Sequence, residues 1–223
     1  MSGMNKTKID WVNYKDKFTL NYTWNPLYGC INTCYYCYAR KLHNRFFQDI
    51  KNGKTKIPDQ YRLPFSTLQF FPDRLSQPDD VLRFSTIFVA SMSDISYHNP
   101  DHIQQVIDVC HINPQHRFLF LTKKYDFYDK FIFPSNCWLG ITMVSGECQT
   151  IPEYQNFKNH PSDQKFVAIE PLLGSFTDVD LFWARWIIVG KRTGGPSFIP
   201  KSDILSIKHD NIYWKNSMKD YVS

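Results

Sequence analysis

The sequence predicts an α/β fold, a partial or short (β/α) barrel with mostly parallel strands. Three observations lead there. Short β-branched and aromatic runs recur along the 223 residues; several are apolar at every position, as strands covered on both faces are; and segments of helical character stand between them. Alternating strand and helix builds right-handed βαβ units. With about six to eight such strands, the sheet is expected to curl on itself.

The chain reads as a single domain spanning 1–223, with residues 1–17 expected to form a peripheral segment. The first strand is Phe18 to Trp24, followed by the turn residues Asn25, Pro26 and Gly29. A helix is expected over Tyr38 to Ile50, then a long surface loop from Lys51 to Pro64, where Lys54, Lys56 and Pro58 interrupt any pattern. Thr67 to Phe71 is a weaker strand and Thr86 to Ala90 a clear one. Asn99-Pro100 is a helix start signal for Asp101 to Ile112. Strand Phe118 to Thr122, helix Tyr125 to Phe131 and strand Trp138 to Met143 follow. Ser145 to Gln164 is polar and mixed, consistent with helix or loop. Strands Phe166 to Ile169 and Trp186 to Val189, helix Lys201 to His209 and strand Ile212 to Trp214 complete the chain.

With 43% hydrophobic residues the chain can bury one sizeable core. No apolar run approaches the roughly 20 residues of a membrane span, and the start, Met1-Ser2-Gly3-Met4-Asn5-Lys6, lacks the apolar segment of a secretory signal. The expectation is a cytoplasmic protein with no membrane partner. A net charge of +5 and a pI near 8.8 are mildly basic, short of the balance of a dedicated nucleic-acid-binding domain. Aromatic residues, 17% of the chain, suit a stacking surface for bases, a barrel core or a partner interface, and for any single one of them the core is the preferred reading.

The most informative segment is Cys30-Ile31-Asn32-Thr33-Cys34-Tyr35-Tyr36-Cys37. Its C-x3-C-x2-C spacing clusters three thiols beyond the first strand, with no evident fourth ligand nearby. Structural zinc sites close with four ligands in paired spacings, whereas a cubane iron-sulfur cluster held by three cysteines keeps one iron free. An open cluster is the preferred reading. A zinc site completed by His43 or a distant ligand is one alternative, and disulfides or unrelated core cysteines are another. Clustered thiols in a reducing compartment usually bind metal, and a core-rich chain of this size does not need stapling. Cys110, Cys137 and Cys148 lie apart and read as small core residues.

Parallel barrels carry their chemistry at the carboxyl ends of the strands. Here those positions are polar: Ser91-Met92-Ser93-Asp94, Thr122-Lys123-Lys124, Thr142 with Val144-Ser145, Glu170-Pro171, Lys191-Arg192-Thr193 and Lys215-Asn216-Ser217. For any one of them a surface turn or a salt bridge is the simpler explanation. Together they would rim one barrel mouth with hydroxyls, carboxylates and cations suited to a zwitterionic cofactor and a polar substrate.

At the cysteine loop, with an aromatic residue before its last cysteine, the chain resembles the radical S-adenosylmethionine (SAM) superfamily. The resemblance implies a [4Fe-4S] cluster on Cys30, Cys34 and Cys37, with its fourth iron chelated by SAM and Tyr36 beside the adenine. Asn25-Pro26 with this loop, Phe71-Pro72-Asp73-Arg74-Leu75, Ser91-Met92-Ser93-Asp94, Phe120-Leu121-Thr122-Lys123 and Glu170-Pro171-Leu172-Leu173-Gly174 occur in the order of a phage- and mobile-element-associated family of short radical-SAM-like proteins. That likeness spans about residues 20 to 195. It implies that Ser91, Ser93 and Asp94 face the amino acid portion of SAM and that Glu170 lies near the centre. Thr122, Lys123 and Thr142, at other strand ends, are further candidates for cofactor binding. Where the family has a glycine-glycine-glutamate-serine-glycine run, this chain has Gly190-Lys191-Arg192-Thr193-Gly194-Gly195.

The expected function is therefore reductive cleavage of SAM to a 5′-deoxyadenosyl radical, which abstracts hydrogen from a substrate still to be identified. Glu170, Lys191 and Arg192 are the candidate catalytic residues, with Lys123 and Lys215 as further anion contacts. The substrate is expected to be anionic, nucleic acid being one such anion, and an external donor such as a flavodoxin or ferredoxin would supply the electron. The alternative is a non-catalytic zinc or iron-sulfur adaptor that docks on nucleic acid through basic loops.

Overall fold

Side chains alternate across a strand, so each apolar run carries two faces, and the computed structural model, which describes residues 4–193 and 198–222, uses both. Eight strands, numbered in chain order, form one sheet: β1 (Asn5–Lys6), β4 (Tyr22–Trp24), β7 (Thr86–Val89), β8 (Arg117–Thr122), β9 (Cys137–Thr142), β10 (Lys165–Ile169), β11 (Trp186–Val189) and β12 (Ile212–Trp214). From β4 to β12 every pairing is parallel, and only β1 runs antiparallel, at the edge beside β4. Each strand is laid beside the one before it, with α1 (Tyr38–Lys51), α2 (Pro100–Ile112), α3 (Glu153–Asn159) or α4 (Lys201–Ser206) in several of the crossovers; α5 (Lys219–Val222) ends the described chain. The architecture is the α/β, partially closed (β/α) barrel that the sequence predicts.

One face of the sheet buries Ile87, Val89, Phe118, Phe120, Val167 and Ile169 in the same cluster as Ile103, Val106 and Ile107 of α2. The other face points inward, where Phe88, Leu119, Trp138, Phe166, Trp186 and Ile188 pack on Trp11 and Phe18. Gly140 sits on this inner face because a Cβ there would lie 2.2 Å from Cζ of Phe166, its register partner on β10. These aromatics fill one end of the barrel and leave the carboxyl end of the strands open.

Several elements differ from expectation. The run Phe18 to Trp24 divides: β3 (Phe18–Thr19) pairs with β2 (Val12–Asn13) in a hairpin, and only β4 joins the sheet. At the break the Asn21 side chain accepts the Thr86 N–H at 2.8 Å, while the Asn21 N–H donates to the Thr86 carbonyl at 2.9 Å. The weak strand near residue 70 shrinks to β6 (Gln69–Phe70), which pairs with β5 (Leu27–Tyr28) outside the main sheet. Tyr125–Lys130 is 3-10 rather than α-helical, and α4 stops at Ser206, three residues short. The stretch Lys51 to Pro64 is not all surface, since Ile57 and Tyr61 are buried against Tyr28.

Residues 9–16 lie along the open side of the barrel. Trp11 is buried inside it, Tyr213 donates its hydroxyl to Asp10, Asn211 Nδ2 donates to Asn13 Oδ1 at 3.2 Å, and Arg185 pairs with Asp16. Part of the segment expected to be peripheral thus bridges β11 and β12 to the rest of the sheet. No described helix is long and apolar enough to cross a membrane.

Candidate active site

The cysteine loop is built by a close backbone crossing. Gly29 has φ +90°, and a Cβ there would stand 2.2 Å from the Thr67 carbonyl oxygen, so only glycine fits beneath that turn. Cys30 N–H then donates to the Phe65 carbonyl at 2.8 Å. The Arg40 guanidinium binds the carbonyls of Cys30 (3.1 Å) and Asn32, which fixes the loop's curvature. Cys37 is the N-cap of α1, and its Sγ accepts the Arg40 N–H at 3.3 Å. Cys30 is buried, and Cys34 and Cys37 are half-buried. Burial pushes the Cys30 thiol pKa up; the Asn32 backbone opposes that, while Asp94, Cys37 and Cys34 add to it. The three sulfurs therefore share one electrostatic neighbourhood.

That neighbourhood opens into a cavity of about 570 Å³ at the carboxyl end of the strands. The candidates of the cysteine loop and the strand ends line it: the three cysteines, Tyr36, Ser91, Ser93, Asp94, Thr122, Lys123, Thr142, Glu170, Lys191 and Arg192, with Lys215 beside them. Gly194 and Gly195, the end of the departing glycine run, lie outside the described residues.

Asp94 is the most committed of these side chains. Its Oδ1 accepts from Thr122 Oγ1 (2.7 Å), Ser96 Oγ (2.8 Å) and Ser96 N (3.3 Å), and its Oδ2 from Lys123 N (3.1 Å) and Asn32 Nδ2 (3.3 Å). An ionised carboxylate offers about four lone-pair sites. All are taken by the protein, so Asp94 ties the end of β7 to the end of β8 and to the cysteine loop. Ser91 Oγ donates to Asn25 Oδ1 at 3.1 Å, and Ser93 Oγ meets His98 Nε2 at 2.7 Å while donating to the Gly29 carbonyl. Burial lowers the His98 pKa to about 4, so this ring is neutral at neutral pH.

Glu170 stands at the cavity floor between two partners. Trp11 Nε1 donates to its Oε2 at 2.7 Å, and Lys215 Nζ pairs with its Oε1. A Cβ at Gly190 would approach Oε1 to 2.8 Å, so the Glu170 carboxylate lies close against this backbone. Burial, and then the neighbouring Cys34, raises the Tyr36 hydroxyl pKa and keeps it protonated. Lys123 Nζ lies 5.9 Å from the Tyr36 ring centroid.

Among the described residues, no three His, Cys, Asp or Glu side chains are gathered as a metal site. The thiols surround one cavity without converging on a point. The donor chemistry nevertheless fits an iron-sulfur cluster bound by three thiolates. His43 does not complete a zinc set: it is fully buried behind the loop among aromatic rings, with Nδ1 3.0 Å from the Tyr28 hydroxyl, and it does not line the cavity. Sequence reasoning missed Trp11, Asn32, Arg40, Lys41 and Arg45. For the last two a signal exists, since positions 38, 41, 42 and 45 share one helical face and all of them line the cavity.

A family model described as Protein of unknown function (DUF5131) matches residues 6–203. The chain belongs to this family. Among solved structures, two variants of spore photoproduct lyase, one cysteine-to-alanine and one tyrosine-to-phenylalanine, align with the DUF5131 chain at a TM-score of 0.47 and 13% identity. Each alignment covers 76% of this chain and 50% of the other, so the chain spans half the length of those structures. No curated protein matches it.

Proposed function

We propose that this chain is a radical SAM enzyme that holds a [4Fe-4S] cluster on Cys30, Cys34 and Cys37 and binds SAM in the adjoining cavity. The supporting observation is that one cavity is lined by the three-cysteine loop and by polar residues from the ends of the successive parallel strands. An adaptor that only bound metal would have no use for a cavity of about 570 Å³ beside it. A cluster held by Cys30, Cys34 and Cys37 would supply the one-electron chemistry for reductive cleavage of SAM and so for hydrogen abstraction.

The chain's own residues have simpler tasks. Arg40, Asn32 and Asp94 hold the cysteine loop in shape. Tyr36, Ser91, Ser93, Thr122, Lys123 and Thr142 shape the SAM pocket, and the aromatic floor under Trp11 excludes water. Glu170, held between Trp11 and Lys215, orients ligand hydroxyls, while Lys191 and Arg192 meet anionic groups of the substrate. An external flavodoxin or ferredoxin provides the electron.

Anaerobic reconstitution with iron and sulfide tests the reading. The protein is expected to take up about four irons and four sulfides, to lose them when any of the three cysteines becomes alanine, and to release 5′-deoxyadenosine with SAM and a strong reductant. Changing Cys110, Cys137 or Cys148 is expected to leave the iron content intact. Stoichiometric zinc without acid-labile sulfide would end the proposal.

A further inference from the structure

The positive charge of this chain is concentrated at one place. Of its 26 lysines and arginines, six line the cavity, against two of its 21 aspartates and glutamates. Those numbers account for nearly all of the net charge of +5, and the remainder of the chain is balanced. Within the cavity Asp94 is saturated by protein donors, and Glu170 neutralises Lys215. The outer cations are Lys41 and Arg45, one turn apart on α1, and Lys191 and Arg192 beyond β11. Lys41 Nζ donates to the Thr193 carbonyl at 3.3 Å, which brings the two groups together on one side of the mouth. Lys41 and Arg45 are solvent-exposed.

An exposed aromatic residue stands beside these cations. The Tyr35 side chain is 66% exposed, with the Arg192 guanidinium carbon 5.9 Å from its ring centroid. Its ring also meets that of Tyr36 edge-on, with centroids 5.1 Å apart, so the position of the ring beside the cavity mouth is held. A cavity near 570 Å³ is also of small-molecule size. A cavity of that size takes a cofactor rather than a polymer, so a larger molecule has to be met across the mouth, with at most one of its groups inserted.

We propose that the molecule on which this site acts is a single-stranded nucleic acid, lying across the mouth with its phosphates on Lys41, Arg45, Lys191 and Arg192 and a base stacked on Tyr35. This rests on the radical SAM reading of the same cavity. Interleaved cations and an exposed aromatic ring suit a strand whose bases are free to stack. A duplex base has first to leave its own stack, and an acidic peptide has no use for the ring.

The test is fluorescence anisotropy of a short labelled oligothymidylate with the 223-residue chain over a salt series. Binding is expected to weaken linearly on logarithmic axes, and Lys41→Ala with Arg45→Ala to lower the slope by roughly 0.7 per lost phosphate contact. Tyr35→Ala is expected to weaken binding by about 5- to 150-fold with an unchanged slope. Circular dichroism checks the fold of each variant, and a glutamine pair replaces the alanine pair should the latter unfold. Equal affinity and slope in wild type and double variant overturn the proposal. So does a duplex that binds more tightly than the single strand, or a charge-matched polyglutamate that competes equally well, which points to an acidic protein surface. The iron, sulfide and 5′-deoxyadenosine measurements use no oligonucleotide, so the two proposals fail separately.

Discussion

Replacing Asp94 by alanine separates a residue that holds the site together from one that only meets a ligand. The side chain is 6% exposed and accepts from Thr122, Lys123, Asn32 and Ser96. Its removal orphans the buried Thr122 hydroxyl and the Lys123 N–H, each at about 1–3 kcal/mol. It also removes the cap of the 3-10 turn Ile95–Tyr97, worth about 1 kcal/mol. These losses share neighbours and do not add fully, so about 3–5 kcal/mol is expected, or roughly 6–20 °C in Tm for a chain of this size. Thermal melts of the protein without SAM read it directly, with Asp94→Asn falling between because it keeps one acceptor oxygen. Iron uptake is also expected to drop, since Asn32 of the cysteine loop loses its anchor. A residue kept only for cofactor binding predicts the opposite, because an unused buried carboxylate is a cost to the empty protein. Melting of Asp94→Ala within about 2 °C of wild type would refute the reasoning.

Three further outcomes follow from the packing. Trp11→Phe keeps most of the apolar contact but loses the bond to Glu170, so a fall of about 1.5–3 kcal/mol is expected in urea unfolding, and an unchanged midpoint would contradict the bridging role of residues 9–16. Gly140→Ala drives a methyl into the Phe166 ring, for about 1–3 kcal/mol of destabilisation that Phe166→Leu partly relieves; a neutral alanine would mean that the ring does not lie there. The folded His98 ring titrates near 4 against an ordinary value of 6.5, so between these values the unfolded chain binds the extra proton. The stability that this group contributes is intact above about pH 6.5 and is lost as pH falls toward 4, up to about 3 kcal/mol. Urea unfolding near neutral and near pH 4.5 is expected to show a larger acid loss in wild type than in His98→Gln, and equal losses would place the ring in water.

What the sequence determined by itself is local. β-branched and aromatic runs specify strands because such side chains fit a pleated, covered surface, and Asn99-Pro100 starts α2 because Asn99 accepts the Asp101 N–H at 2.8 Å while Pro100 has no N–H to lose. The spacing of Cys30, Cys34 and Cys37 groups three thiols whatever surrounds them, and residues that follow successive parallel strands share one end of the barrel by topology alone. The roles of those residues belonged to the tertiary structure. Glu170 gains a donor from Trp11, 159 positions away, only because residues 9–16 lie across the open side of the barrel. Asp94 is saturated because the register of β7 and β8 sets the Thr122 hydroxyl and the Lys123 N–H opposite it. His43 has the chemistry of a zinc ligand, but its place on α1 turns it toward Tyr28 and Phe65, away from the cavity. Residue type and spacing state what a side chain is able to do. Which donors and acceptors reach it first depends on strand pairing and helix rotation, and those are settled by burying the whole core at once.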